Sequence, residues 1–180
     1  MKPDYVLRPG MRLLGIEKLR AHQVRPIQSL IQGNDTIVIA GMGGDTICGI
    51  LDRAEWCMDR RYTLILQPMT RSEVLRYWLV YNEFEIILED LVADTGEIYQ
   101  IITARFGGET TLSDAELYTG NFEMIRANPL FNEFLHGQIS RFKKAVQGLR
   151  SASRPDDSGR LVIMEAILAQ LMEMKEYDNR

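Results

Sequence analysis

The run Thr36-Ile37-Val38-Ile39-Ala40-Gly41-Met42-Gly43-Gly44-Asp45-Thr46-Ile47-Cys48-Gly49-Ile50-Leu51 decides the fold. A short apolar, β-branched stretch enters a glycine cluster. Ile47, Ile50, Leu51 and Ala54 then follow at helical spacing. The order is strand, tight turn, helix. In α/β sheets such a junction lies at the carboxyl ends of the strands, where ligands bind.

The same alternation continues downstream. Asn34-Asp35 reads as a turn, and Thr36–Ala40 as an apolar strand buried on both faces of a parallel sheet. Tyr62–Leu66 is a second buried strand, stopped by Gln67-Pro68. A helix follows with Leu75, Trp78 and Leu79 on one face and Ser72 as its N-cap. Phe84, Ile86 and Leu88 alternate with Glu83, Glu85 and Glu89, the pattern of a strand with one face in water. The charge run Glu83, Glu85, Glu89 and Asp90 reads as that solvated face. Asp94-Thr95-Gly96 turns the chain, and Glu97–Phe106 returns as the antiparallel partner.

Residues 109–180 read as helical. Asn128-Pro129 is a cap followed by proline at the first helical position. Leu135, Ile139, Phe142, Val146 and Leu149 form a heptad seam. Ser151–Gly159 is a polar turn, and Leu161, Met164, Leu168 and Leu171 form a second seam. Two such helices should fold back as an antiparallel pair. Upstream, residues 1–33 are the least regular, with a short strand at Tyr5–Leu7 and one or two short helices broken by Pro26.

A chain of 180 residues suits one ordinary domain. It is 46% apolar and 26% charged, ordinary for a globular protein, and its net charge of −4 creates no field that would hold a polyanion. A nucleic-acid partner would need a local basic patch. Cys48 and Cys57 match neither a disulfide scaffold nor a zinc pattern, so no metal is expected. No apolar run approaches the ~20 residues of a membrane span, and Met1-Lys2-Pro3-Asp4-Tyr5 lacks a signal region. A cytoplasmic protein is expected.

Gly41, Gly43 and Gly44 free the backbone for positive φ and close ligand approach. A dinucleotide fingerprint would place glycine where Thr46 stands, and an acidic residue after a second strand. A tight turn with no ligand accounts for the same residues. Gln67 and Pro68 end the neighbouring strand and would face the same crevice, or simply terminate it. Lys143, Arg150 and Arg154 share a stripe of the long helix, as phosphate contacts or as the charged flank of a helical pair. His22 and His136 have no nucleophile arranged around them.

The run Ile39–Gly44, then Ile50-Leu51 and Leu64-Ile65-Leu66-Gln67-Pro68, resembles the bacterial tRNA (adenine-22-N1)-methyltransferases. Leu75-Arg76, Trp78-Leu79, Glu89, Gly96, Tyr99, Gly120, Asn128-Pro129-Leu130-Phe131 and Phe134-Leu135 extend the likeness across residues 34–175. It implies part of a Rossmann-like methyltransferase sheet over 34–108, with parallel strands plus an antiparallel hairpin. A helical coiled-coil region over 109–180 would follow. It implies methyl transfer from S-adenosylmethionine to N1 of an adenine in tRNA. That nitrogen's lone pair can attack the methyl directly, so catalysis is mostly alignment. Ala40, Gly41, Met42, Gly43 and Gly44 would line the cofactor and base crevice. Gln67 and Pro68 would form its wall, and Lys143, Arg150 and Arg154 would grip the tRNA. The family's Asp-Ile-Gly loop has no counterpart upstream of Gly41, so residues 1–33 are expected to be a divergent leader before the C-terminal portion of such an enzyme. An open sheet edge would then favour self-association. The competing expectation is a remnant that binds tRNA, or itself, without catalysis.

Overall fold

A computed structural model of the chain describes residues 35–152 and 158–178. Expectations for residues 1–33 lie outside the described residues. Strand β1 (Asp35–Gly43) leads into helix α1 (Gly44–Leu51) and a 3-10 turn at Glu55–Cys57. Strand β2 (Tyr62–Thr70) and helix α2 (Ser72–Tyr81) come next, followed by β3 (Phe84–Asp94) and β4 (Glu97–Phe106). Then come two short helices, α3 (Asp114–Thr119) and α4 (Phe122–Ile125), and two long ones, α5 (Phe131–Ala152) and α6 (Ser158–Asp178). No described helix is long and apolar enough to cross a membrane.

The four strands form one mixed sheet in the order β1-β2-β4-β3. β1 and β2 are parallel; β2 with β4 and β4 with β3 are antiparallel. The hairpin turn holds Thr95 at φ 52° and Gly96 at φ 85°. Two positive φ values suit the right-handed twist of the strands it joins.

Two apolar clusters hold the molecule together. Ile47 and Leu51 of α1, Leu75 and Leu79 of α2, and Leu64, Leu66, Phe84, Ile86 and Ile102 of the sheet pack as the first. Leu91 from the far end of β3 joins Ala115, Ile125, Phe131, Leu135, Ile139, Phe142, Ile167 and Leu171 in the second. The expected α5 seam is therefore internal, and α6 meets it through Ile167 and Leu171. Arg150 near the end of α5 pairs with Glu165 in the first half of α6, so the helices run in opposite directions.

Several local expectations are corrected. β1 is not buried on both faces: Val38 is 48% exposed, because β1 is an edge strand among the described residues and α1 and α2 cover one side of the sheet. β2 continues through Pro68 to Thr70. Its ladder to β4 ends at Leu66, so a proline beyond it removes no bond on that side. The residue preceding α2 is Arg71, in a left-handed conformation, and Ser72 is buried in the first turn. Asn128 accepts from the Leu130 amide, and α5 starts at Phe131 rather than beside Pro129.

The largest correction concerns Glu89. The β3–β4 register slips between Ile86, opposite Ala104, and Leu88, opposite Thr103. Ile87 is the extra residue of a β-bulge, and every later side chain changes face. Leu88 turns outward at 39% exposure, and Glu89 turns inward at 2%. There it meets Arg76 of α2, itself 1% exposed, at Nε–Oε1 2.7 Å. Arg76 also donates to the Leu117 carbonyl at 2.9 Å and to Gln100 Oε1 at 2.7 Å. The Asn121 amide donates to Glu89 Oε2 at 2.5 Å. Removing one partner from a buried pair strands the other charge. Arg76→Leu and Glu89→Leu are each expected to cost about 3–5 kcal/mol in urea unfolding. The double substitution should cost less than the two summed; strict additivity would show that the pair is not coupled.

Candidate functional site

The carboxyl end of β1 breaks its own ladder. Pairing with β2 runs regularly to Ala40↔Gln67, then shifts on either side of Met42. Gly41 adopts φ +77°, a region that costs side-chain-bearing residues about 1–2 kcal/mol. Its amide leaves the strand pattern and donates to Gln67 Oε1 at 2.9 Å. Gln67 Nε2 is in turn 3.3 Å from Met69 Sδ. The buried Gln67 side chain thus replaces the missing ladder partner and fixes the bulge. Gly41 and Met42 are exposed at this end.

The two strand-to-helix junctions touch each other. A Cβ on Gly44 would overlap the carbonyl oxygen of Arg71, so glycine is needed where α1 starts against the loop before α2. Arg71 sits at φ +55°. Its Nε lies 3.4 Å from Asp45, an exposed contact across the two junctions that contributes little stability, and 3.5 Å from the half-buried Glu73 of α2. Behind α1, burial, aided by the Asp52 and Asp45 charges, pushes the Cys48 thiol up to about 11. It is a neutral core group near pH 7, not a nucleophile.

Ala40, Gly41, Met42, Gly43, Gly44, Gln67 and Pro68 therefore converge on one end of the β1–β2 pair. The basic stripe does not join them. Lys143 and Arg150 line an open groove of about 690 Å³ between α5 and α6, with Glu165, Leu168 and Met172. Arg150 donates to Glu165 Oε1 from both Nε (3.0 Å) and Nη2 (2.6 Å), as the flank of a helical pair does. Arg154 lies outside the described residues. Among the described residues no cluster of His, Cys, Asp and Glu is built for a metal. Sequence reasoning missed Arg71, and it named Arg76 and Glu89 only as carriers of the resemblance, without their buried pairing. No periodicity signals a left-handed Arg71, and the bulge that buries Glu89 is invisible to a period-two count. Ser113 and Glu116 form a full capping box, legible in their spacing, that starts α3.

Comparison with known proteins adds to this geometry. The family model for tRNA (adenine(22)-N(1))-methyltransferase matches residues 17–172. That span includes part of the segment expected to be a divergent leader. The curated tRNA (adenine(22)-N(1))-methyltransferase of Bacillus subtilis is 30% identical over 102 residues, 54% of this chain and 43% of that protein. A Streptococcus agalactiae protein of the NADB-Rossmann superfamily is 28% identical at a TM-score of 0.62, covering 78% of this chain and 59% of that one. A Streptococcus pneumoniae structure in complex with S-adenosyl-L-methionine is 25% identical at a TM-score of 0.56, over the same shares. The chain thus spans less than half of its curated relative and about six tenths of these solved chains. The fold is Rossmann-like α/β.

Gly44→Ala should lower the melting temperature, since overpacking of this kind costs about 1–3 kcal/mol. Gly49→Ala, where no atom lies within 4 Å, should raise it. Equal melting temperatures for the two variants would show that the Gly44–Arg71 contact is slack.

Proposed function

The chain belongs to the tRNA (adenine(22)-N(1))-methyltransferase family, and from that premise we propose that it acts in methyl transfer from S-adenosylmethionine to N1 of an adenine in tRNA. The observation that carries the reading is the Gly41 bulge held by Gln67 at the carboxyl end of two parallel strands. Ligands of open α/β sheets bind at such ends.

Ala40, Gly41, Met42, Gly43 and Gly44 would line the cofactor and base crevice, with Gln67 and Pro68 as its wall. At Gly41 nothing lies within 4 Å of where a Cβ would stand, so the backbone is open to close approach. The described carboxylate beside this turn, Asp45, is engaged with Arg71. These residues fit the methyl-bearing end of S-adenosylmethionine and supply no acidic partner for its ribose. When bound, that group supplies an electrophilic methyl. The chain's own part is to hold the acceptor ring against this turn and to exclude water with Met42 and Pro68. Alignment of the reacting centres is the main requirement, because N1 of adenine carries its own lone pair.

Residues 34–108 form the methyltransferase portion in this reading, and 109–180 a coiled-coil portion that grips tRNA. Lys143, Arg150 and Arg154 are its phosphate contacts; Arg150 would exchange Glu165 for RNA. A cytoplasmic location follows from a tRNA substrate.

The test is incubation of the chain with an unmodified tRNA transcript and S-adenosylmethionine, followed by mass spectrometry of the digested RNA for N1-methyladenosine. Product is expected. Gln67→Leu should lower its rate about tenfold, the scale of one lost hydrogen bond. Firm tRNA binding with no product would instead assign the chain to RNA binding alone.

A further inference from the structure

A small cavity of about 150 Å³ opens beside the site, where the end of β2 and the start of α2 face α3 and α5. Pro68, Met69 and Thr70 continue it to the crevice described above. Whole small-molecule sites typically measure about 300–1,000 Å³, so this one takes a single group of a larger ligand.

The donors on its walls narrow that group. Arg76 can only donate, so Gln100 accepts from it at Oε1 and turns its Nε2 toward Ser72 Oγ, 3.0 Å away. Ser72 Oγ therefore accepts from the core, and its own proton is directed away from Gln100. Ser72 lines the cavity together with the hydroxyl-bearing Thr70 and Tyr118. Of the two guanidinium groups on the walls, Arg71 is engaged by Asp45 and Glu73. Arg141 is exposed and pairs with no carboxylate among the described residues. The carboxylate on the walls, Glu73, is offset by Arg71 at 3.5 Å. Three hydroxyls and an unengaged guanidinium suit a group that carries negative charge and only acceptors, which describes a phosphate.

Resting on the tRNA reading above, we infer that this cavity seats one phosphodiester group of the tRNA strand next to the methylated adenine, with Arg141 as its charged contact and Thr70, Ser72 and Tyr118 as hydroxyl donors. Phosphate contacts set the register of a strand without reading its sequence. Seated here, the backbone holds the adenine against the Gly41 turn, in a reaction whose main demand is alignment. Lys143 and Arg150 line the groove toward α6 instead, so they meet a different part of the tRNA.

Binding of a fluorescent tRNA over a range of KCl concentrations tests this, beside two synthetic tRNAs in which an uncharged methylphosphonate replaces the phosphodiester on the 5′ or the 3′ side of the adenine. Arg141→Gln should reduce the slope of log K against log salt by about 0.7–0.9, the loss of one phosphate contact. Its melting temperature should hold, because the side chain is exposed, and Arg141→Lys should restore the slope. The native chain should bind one of the methylphosphonate tRNAs about tenfold more weakly than the unmodified one. That loss should be smaller in Arg141→Gln; an equal loss would place Arg141 on another phosphate and overturn the inference. If the native chain binds tRNA and Arg141→Gln keeps its salt slope, the cavity is not a phosphate site, although the tRNA reading stands. Weaker binding in step with a lower melting temperature would also overturn the inference, as a structural effect. No binding by the native chain overturns both readings.

Discussion

The buried Arg76–Glu89 pair is the constraint on which the rest of the molecule depends. It joins α2 to β3, and through Gln100, Leu117 and Asn121 it also ties in β4 and the segment around α3 and α4. Gly120 passes so close to it that a Cβ there would stand 2.9 Å from Glu89 Oε2 and 3.1 Å from Arg76 Nη2. Such a pair is not an efficient source of stability, since an apolar substitute of similar volume often does as well. It is directional, however. The three guanidinium nitrogens each donate to a different acceptor, on β3, α3 and β4, which favours one arrangement of the helical portion on the sheet.

That docking positions the candidate site. Gln100 Nε2 donates to Ser72 Oγ at 3.0 Å, so the network that fixes the core also fixes the first turn of α2. The preceding residue, Arg71, is left-handed, and its carbonyl packs against Gly44 at the start of α1. The chain from Glu89 to Gly44 is one continuous set of contacts, ending where the Gly41 turn meets Gln67. A rigid end of the sheet suits a reaction whose barrier is mostly one of alignment.

Element type was legible over long, strongly patterned stretches. Leu135, Ile139, Phe142 and Val146 are all buried where their heptad spacing requires. The Asp94-Thr95-Gly96 turn makes the hairpin it implied. The glycine run and Gln67-Pro68 do meet at one end of parallel strands. Glu89 was not legible, because a single bulged residue inverts every face beyond it while leaving composition untouched. Arg71 was not legible either: its carbonyl packs against Gly44, 27 positions earlier in the chain, and no local pattern marks that contact.

By itself the sequence determined the order of the main strands and long helices, the family resemblance, and the positive φ at Gly41. These are local properties, carried by periodicity and by the absence of a Cβ. Gly43, by contrast, sits at an ordinary φ of −68°, and Gly44 is required by a close contact instead. Only the tertiary structure decided which charges are buried, which helix faces the site, and that Arg150 is matched by Glu165 while Gln138 is left unsatisfied. Burial and pairing are set by residues far apart in the chain, and a bulge or a docking angle changes them without altering any local pattern.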